Sequence, residues 1–289
     1  MHLQRLTVIG VGLIGGSFAL KLKQLGRVVD VVGYGRNTQN LEKAVELGVI
    51  DRYASSLADA VQDADLVVLA VPLASIAPIY AQIATYLKPD AIVTDVGSAK
   101  ASVVEQIETQ LGFKPAQFVP GHPIAGREKS GVEAVEADLY QNHRVILTPQ
   151  DYTNTDAVNK VESLWQAVGA QVTRMTATYH DEVFAATSHL PHLLAFALVD
   201  MLNEHSELGN VFQYTAGGFR DFTRIASSDA TMWRDIALQN ASAIVKWLAA
   251  YQVELTKLSQ LIEQQQGNQL YDLFADAKAA RDKHIINKR

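Results

Sequence analysis

The chain has 289 residues, of which 48% are hydrophobic and 19% are charged, and its formal net charge is -6. This composition is typical of a globular protein with enough chain for two domains. The negative charge argues against nucleic acid or an anionic membrane as the main partner. The chain has no cysteine, which excludes disulfides, thiolate nucleophiles and cysteine-bound zinc.

Short apolar runs alternate with helix-like segments in the first part of the chain. The predicted strands are residues 6–9, 28–34, 65–72, 91–95, 118–119, 145–147 and 171–174. Helix-like segments at 16–24 and 41–47 separate the first of these runs. Strands that alternate with helices are typical of βαβ units and a largely parallel sheet. We therefore predict an α/β fold whose Rossmann-type, dinucleotide-binding domain covers residues 1–176.

After about residue 175 the pattern becomes helical, with no convincing strand. Residues 192–202 are apolar almost all round, which is typical of a buried helix. Further along, apolar side chains repeat at spacings of four and three, as in a helix that packs along another: Ile244, Leu248, Tyr251, Leu255, Leu258 and Ile262. We expect an all-helical substrate and dimerisation domain over residues 177–289, and hence a homodimer. The alternative is packing within one chain.

The sequence gives little indication of a membrane. No stretch reads as long and apolar enough to span a bilayer, and residues 1–5 lead directly into a strand-like run. The lack of cysteine fits a reducing compartment. We expect a cytoplasmic protein with neither a membrane nor a nucleic-acid partner.

A glycine-rich turn follows the first predicted strand and opens a helix. Its residues are Gly10, Val11, Gly12, Leu13, Ile14 and Gly15. In a βαβ unit the first glycine permits the tight turn, the second lets the backbone approach a pyrophosphate, and the third allows close helix–strand packing. We expect this turn, with Val71 and Pro72 at the end of a later strand, to bind a dinucleotide. The alternative is a turn that binds nothing.

The end of the second predicted strand bears on the choice of cofactor. An NAD site usually has an acidic residue here that accepts hydrogen bonds from the ribose, but this chain has Gly35. Arg36 follows and could pair with a 2′-phosphate. We expect NAD(P) binding with NADP preferred over NAD. The alternative is a solvated arginine that discriminates nothing.

A histidine stands at the predicted carboxyl end of another strand, in the run 118–126. Ligands of open α/β sheets bind beyond the carboxyl ends of the strands. Histidine is also the side chain best able to move a proton near neutral pH. Beside a nicotinamide site, His122 therefore suggests hydride transfer coupled to proton removal. The alternative is an ordinary loop histidine.

Several motifs together carry a resemblance that covers nearly the whole chain. They are the runs 8–17, 94–100 (Thr-Asp-Val-Gly-Ser-Ala-Lys), 121–126 (Gly-His-Pro-Ile-Ala-Gly), 188–192 (Ser-His-Leu-Pro-His) and 217–226. With them the chain resembles the prephenate/arogenate (cyclohexadienyl) dehydrogenase family of tyrosine biosynthesis. The first run is shared by many dehydrogenases, whereas the other four in this order are specific.

The resemblance implies an oxidative decarboxylation of prephenate to 4-hydroxyphenylpyruvate, of arogenate to tyrosine, or of both, and it leaves the preferred substrate open. It implies that His122 is the acid/base residue and that Ser98 contributes to the same site. The alternative for Ser98 is a helix N-cap before residues 99–101, and both roles can hold together. Arg224 matches the arginine that binds the ring carboxylate, a role that suits a guanidinium fork.

The resemblance also implies further residues around the substrate. His189, His192 and Gly217 are expected in the pocket, and Trp233 there or in the core. For the two histidines the alternative is an ordinary place in the core. Three charged positions match a gating network at the pocket mouth, with a solvated ion network as the alternative: Glu128, Arg220 and Asp221. Glu128 also counts among the expected substrate contacts. His189 and His192 have no carboxylate at an obvious ligand spacing, so we expect no metal.

Two other functions remain open from the sequence. A β-hydroxyacid dehydrogenase or imine reductase would have the same architecture, but the Gly-His-Pro and Ser-His-Leu-Pro-His runs argue against it. A non-enzymatic NADP(H) sensor would need neither a placed histidine nor a carboxylate-binding arginine. Assays with prephenate, arogenate and hydroxyacids separate the three.

Overall fold

The computed structural model describes residues 2–126, 131–205, 207 and 209–284. The strands there are β1 Leu3–Ile9, β2 Val28–Tyr34, β3 Arg52–Tyr53, β4 Leu66–Leu69, β5 Ile92–Asp95, β6 Phe118–Val119, β7 Gly121–Ile124, β8 Arg144–Leu147 and β9 Gln171–Arg174. The α-helices are α1 Leu13–Gln24, α2 Thr38–Glu46, α3 Leu57–Val61, α4 Ile76–Ile83, α5 Ala101–Leu111, α6 Thr155–Ala167, α7 Ala177–Phe184, α8 Leu190–Glu204, α9 Gly217–Thr223, α10 Ala230–Gln239, α11 Ala241–Glu263 and α12 Gly267–His284. The seven predicted strands are present, whereas β3 and β7 were not predicted.

The main sheet is parallel and has the order β3-β2-β1-β4-β5-β6. The order reverses between β1 and β4, which makes the crevice at their carboxyl ends the topological switch point. Ile9 at the end of β1 pairs with Tyr34 on one side and Leu69 on the other. The glycine-rich turn leaves β1 at this crevice, where open α/β sheets bind their ligands.

Successive side chains of the sheet enter two cores. In β1, Leu6 and Val8 belong to one cluster and Ile9 to the other. Trp165 lies in the first cluster and Phe118 in the second, both almost fully buried. Burial on both faces explains why the strands read as continuous apolar runs rather than as alternating ones.

A second, smaller sheet carries His122. β7 pairs antiparallel with β8, and β8 pairs parallel with β9. Pro120 lies between β6 and β7 and has no N–H for a ladder, which fits the change of sheet at this residue. His122 lies just beyond β6, as expected, but inside β7 opposite Ile146 rather than in a loop. The ladder therefore holds its backbone.

The chain divides into two compact units, residues 1–241 and 242–289. The first contains both sheets and α1 to α10, and the second contains α12 and all but the first residue of α11. Beyond Arg174 the described residues contain helices and no strand, as predicted. The predicted domain boundary after residue 176 is a different division and stays a prediction.

One helical stretch, Ala177–Glu204, contains α7, a π-helical segment at Ala185–His189, and α8. The expectation that no stretch could span a bilayer is wrong by length and composition, because this helix contains an 18-residue window that is apolar enough to cross a membrane. The core helix of a soluble protein meets the same criterion. The expectation of a fully buried helix is also wrong, since only Leu190 and Ala195 of α8 are buried in the single chain.

The predicted apolar seam lies on α11. Ile244 is buried and Leu248 and Leu258 are half-buried, whereas Tyr251, Leu255 and Ile262 are 37%, 48% and 59% exposed. These three side chains keep apolar surface in contact with water in the single chain. Apolar surface of this kind on one helix is typical of a protein–protein contact.

Candidate active site

The glycine-rich turn has the geometry that a dinucleotide requires. Gly10 has φ +95°, and a Cβ there would lie 2.2 Å from the carbonyl oxygen of Ala70. A Cβ on Gly15 would lie 2.7 Å from Cγ1 of Val8, so this glycine permits close packing of α1 on β1. A Cβ on Gly12 would meet no described atom within 4 Å, which leaves its backbone approachable from outside.

The start of α1 completes this turn. Gly12 is its N-cap and offers no side-chain hydrogen bond, so the first N–H groups of the helix are available to an anion. Cγ1 of Val71 would lie 3.0 Å from a Cβ on Gly10, which places Val71 beside the turn, whereas Pro72 is exposed. The residues present fit a nicotinamide dinucleotide.

The turn after β2 is open. Arg36 is exposed, and a Cβ on Gly35 would meet only Cδ2 of Leu41, at 3.8 Å. Asn37 caps α2, because its Oδ1 accepts a hydrogen bond of 3.1 Å from the N–H of Asn40. Position 35 therefore has room for a side chain, and Asn37 is occupied with its own helix.

A buried ion pair holds the residue before His122. The side chains of Lys100 and Asp95 are both fully buried, and Lys100 Nζ donates to Asp95 and, over 2.8 Å, to the carbonyl oxygen of Gly121. Asp95 Oδ1 accepts from the N–H of Gly121 at 3.1 Å. Asp95 and Lys100 thus fix the N–H and the carbonyl oxygen of Gly121 respectively, directly before the histidine.

His122 contacts a second histidine on α7. Its Nδ1 lies 2.8 Å from Nε2 of His180, and Nδ1 of His180 lies 2.7 Å from Oδ1 of Asp181. Removal from water is the main cause that lowers the pKa of His122 well below 6.5, and His180 and Lys100 add to this. Burial also lowers the pKa of His180, although its hydrogen bond to Asp181 opposes the shift. His122 is therefore a neutral imidazole at pH 7.

His189 is buried and has two hydrogen-bond partners inside the protein. Its Nδ1 lies 3.1 Å from Nδ2 of Asn240, and it also hydrogen-bonds the backbone of Ser98. Burial lowers the pKa of His189 to about 4. Asn240 Nδ2 in turn donates to the carbonyl oxygen of Asp181 at 2.9 Å. These contacts favour a supporting role for His189 over direct contact with a ligand.

His192 is more accessible than His189. Its Nδ1 donates to the carbonyl oxygen of Ser188 at 2.9 Å, and its ring stacks on Trp233 with centroids 3.8 Å apart. Burial lowers its pKa, and the positive charge of Arg224 lowers it further. His192, Trp233 and Arg224 thus lie in one neighbourhood, and His192 keeps Nε2 as its acceptor.

Sequence models of two domains match this chain. The nucleotide-binding domain of prephenate dehydrogenase matches residues 18–174, and the dimerization domain of prephenate dehydrogenase matches residues 176–276. The chain belongs to the prephenate dehydrogenase family.

Individual relatives agree with this assignment. A cyclohexadienyl dehydrogenase of Zymomonas mobilis is 37% identical over 281 residues, which is 96% of this chain and 95% of the relative. The prephenate dehydrogenase of Aquifex aeolicus, solved with hydroxyphenyl propionate and NAD+, has a TM-score of 0.92 and 40% identity over 98% of this chain and 99% of that one. The arogenate dehydrogenase of Synechocystis has a TM-score of 0.82 and 30% identity over 98% and 100%.

The structure contradicts one of the two roles expected for Ser98. The alternative role as an N-cap is wrong, because α5 begins at Ala101 and its N-cap is Lys100. The carboxylate of Asp181 accepts the N–H groups of Lys100 and Ala101 instead, at 2.8 and 2.9 Å. A residue from α7 therefore caps α5, and the half-buried Ser98 is left for a role in the site.

The expected gating residues do not take part in the hydrogen bonds described for His122, His180 and His189. Arg220 and Asp221 are exposed on α9, where Nη2 of Arg220 donates to the carbonyl oxygen of Thr215 at 3.2 Å. Gly217 begins the same helix. Glu128 lies outside the described residues. The gating network stays a prediction.

Sequence reasoning missed the residues that support the histidines. His180, Asp181 and Asn240 were not among the expected site residues, nor were Asp95 and Lys100. A signal for the last two was present, since both lie in the run 94–100 that carries the resemblance. The adjacent His180 and Asp181 in a largely apolar segment were a second signal, because buried charged and polar side chains need partners.

Proposed function

We propose that this chain catalyses the NAD(P)-dependent oxidative decarboxylation of prephenate, of arogenate, or of both. The observation that carries the proposal is the neutral His122, which is close enough to His189 for the two side chains to interact electrostatically. His189 interacts with His192 in the same way, and His192 interacts with Arg224. A base and a carboxylate-binding cation thereby belong to one neighbourhood beyond the strand ends. The activities named for the relatives from Zymomonas, Aquifex and Synechocystis support the same reaction.

In the proposed reaction His122 accepts the proton of the substrate's 4-hydroxyl group. The bound nicotinamide supplies the acceptor for the hydride that leaves the same carbon. Loss of carbon dioxide then makes the ring aromatic and leaves a phenolate oxygen, which takes the proton back from His122. The protein therefore needs mainly to position the substrate and to hold one proton during the reaction. Arg224 holds the ring carboxylate with a charge-assisted hydrogen bond, and Ser98 contributes to the same site.

The pocket around the substrate is proposed to contain His192 and Trp233, with Glu128, Arg220 and Asp221 at its mouth. The stacked ring of Trp233 fixes the plane of His192. His189 is proposed to position neighbouring residues rather than to contact the substrate, since it hydrogen-bonds the backbone of Ser98 and the side chain of Asn240. Gly217 lets α9 start without a side chain next to the pocket.

We also propose that NADP is preferred over NAD. Gly35 removes both the attraction of a carboxylate for the ribose hydroxyls and its repulsion of a 2′-phosphate. The exposed Arg36 is free to turn toward that phosphate. The homodimer is a further part of the proposal, supported by the match to a dimerization domain and by the exposed apolar side chains of α11.

The test is a steady-state assay of the purified protein with prephenate, arogenate and a panel of hydroxyacids, each with NAD and with NADP. We expect cofactor reduction with prephenate or arogenate, and 4-hydroxyphenylpyruvate or tyrosine as the product. Faster reduction with a hydroxyacid, or none with either cyclohexadiene, would reject the proposal. The ratio of kcat/KM for prephenate to that for arogenate identifies the preferred substrate.

A further inference from the structure

His122 is one end of a hydrogen-bonded chain of three side chains. His122 Nδ1 lies 2.8 Å from His180 Nε2, and His180 Nδ1 lies 2.7 Å from Asp181 Oδ1. The side chain of His180 is fully buried, and that of Asp181 is 8% exposed. Water therefore has little access to the two links, and each must be satisfied by the protein.

The direction of these hydrogen bonds follows from the contacts of Asp181, the residue at the other end from His122. Backbone N–H groups of Lys100 and Ala101 donate to the two carboxylate oxygens of Asp181, at 2.8 and 2.9 Å. Both oxygens are thus acceptors, and the positive end of α5 favours a negative charge there. A carboxylate that accepts requires His180 to donate from Nδ1, since a lone pair on that nitrogen would face the lone pairs of the carboxylate.

The same argument applies to the next hydrogen bond, between His180 and His122. A neutral His180 with its proton on Nδ1 has a lone pair on Nε2, so His122 must donate from Nδ1. The remaining nitrogen of His122, Nε2, then carries a lone pair. That is the form a base needs in order to accept the substrate's hydroxyl proton.

We propose that His180 and Asp181 are positioning residues that hold His122 in the tautomer with its proton on Nδ1. This inference rests on the proposed function, in which His122 is the base. When Nε2 takes up the hydroxyl proton, His122 becomes an imidazolium, and the charge of Asp181 stabilises it through His180. The other titratable groups that act on the two histidines are Lys100, Asp95 and His189.

A purely structural reading assigns the network to the capping of α5. Capping needs only the carboxylate of Asp181, whereas the contact between His180 and His122 adds nothing to it. Variants of His180 therefore separate the two readings. His180→Gln keeps an acceptor at about the reach of Nε2, and His180→Phe removes it while filling similar space.

The experiment compares kcat and KM of His180→Phe and His180→Gln with those of the wild type. We expect kcat of the Phe variant to fall about 10- to 10²-fold with KM within about two-fold, and the Gln variant to recover most of the loss. His143→Phe makes the same substitution at an exposed histidine and should match the wild type. A Phe variant with kcat within about three-fold of the wild type overturns the proposal.

A second readout does not depend on turnover. Imidazole ¹⁵N chemical shifts of the wild-type protein, assigned with His122→Asn and His180→Gln, report which nitrogen carries the proton. We expect Nδ1 for both histidines at pH 7. A proton on Nε2 of His122 overturns the proposal even if His180→Phe does not fold. If the wild type turns over neither prephenate nor arogenate, the proposed function fails, and the shifts still decide the tautomer.

Discussion

His122 is the side chain on which the proposed proton transfer depends. We expect His122→Asn to lower kcat on the order of 10²–10⁴-fold, because a positioned acid/base group is lost, with a much smaller change in KM. Steady-state kinetics with prephenate and arogenate measure both quantities. Near-normal turnover of the variant would remove His122 from the mechanism.

The pH dependence of kcat follows from the environment of the same residue. Burial and neighbouring positive charge hold the pKa of His122 well below 6.5, so the imidazole stays neutral in mildly acid solution. We expect kcat to be level from neutral pH to about 6.5 and to fall only in more acid solution, where Nε2 becomes protonated. A fall of kcat centred above pH 7 would contradict this assignment.

Arg224 is expected to act through binding. Its contact with the ring carboxylate exists before the reaction starts, so Arg224→Ala should raise KM more than it lowers kcat. A charge-assisted hydrogen bond contributes about 1.5–3 kcal/mol, which corresponds to about one to two orders of magnitude in KM. Arg174→Ala, at an exposed arginine paired with Glu162, is the control and should leave KM unchanged. An Arg224→Ala variant with the KM of the wild type would contradict the role.

The turn after β2 allows a direct test of cofactor choice. A Cβ at position 35 meets nothing closer than 3.8 Å, so Gly35→Asp/Arg36→Ile should fold as the wild type does. We expect the wild type to favour NADP by about one to two orders of magnitude, and the double variant to shift toward NAD. The measurement is kcat/KM for each cofactor. Equal or better use of NAD by the wild type would reject the preference.

Among the helices, α11 is where the dimer can be tested. Leu255 is 48% exposed on the predicted seam, and a charge buried against a partner there is unfavourable. We expect light scattering at micromolar concentration to show a dimer for the wild type and a monomer for Leu255→Glu. Gln260→Glu adds a carboxylate on the opposite side of the same helix and should stay dimeric. A monomeric wild type with full activity would reject the seam as an interface.

The stability of the whole molecule should depend on its buried histidines. Burial lowers the pKa of four histidines in the folded protein below 6.5, which is their value in the unfolded chain: His122, His180, His189 and His192. At a pH between the folded and the unfolded pKa, the unfolded chain therefore binds more protons than the folded protein does. Stability is then fully present above pH 6.5 and is lost as the pH falls. With a folded pKa of about 4, His189 alone lowers the free energy of unfolding by about 2 kcal/mol between pH 7 and pH 5.

Denaturant unfolding at pH 7 and pH 5 measures this loss. We expect His189→Gln to have a smaller loss than the wild type, and His143→Gln, at an exposed position, to have the same loss. An unchanged or rising stability between pH 7 and pH 5 would contradict the expectation.

The sequence by itself was sufficient for features that depend on a few neighbouring residues. Seven of the strands, the tight turn at Gly10, the close packing at Gly15 and the helical second part follow from turn chemistry and hydrophobic periodicity, which act over short distances. The sequence was insufficient where one composition is compatible with several structures. The apolar segment at 177–204 passes as a membrane span, a buried core helix or a half-exposed helix, and only its packing distinguishes them.

Tertiary structure alone decided how the histidines are held. His122 and His180 are 58 residues apart in sequence, Asp181 caps a helix that begins 80 residues earlier, and Asn240 reaches His189 across 51 residues. No local pattern encodes these contacts, because a buried polar group takes whatever partner the packing of separate elements brings within hydrogen-bond distance. A tautomer is set by such partners, so the chemistry proposed for His122 is a property of the folded chain rather than of its motif.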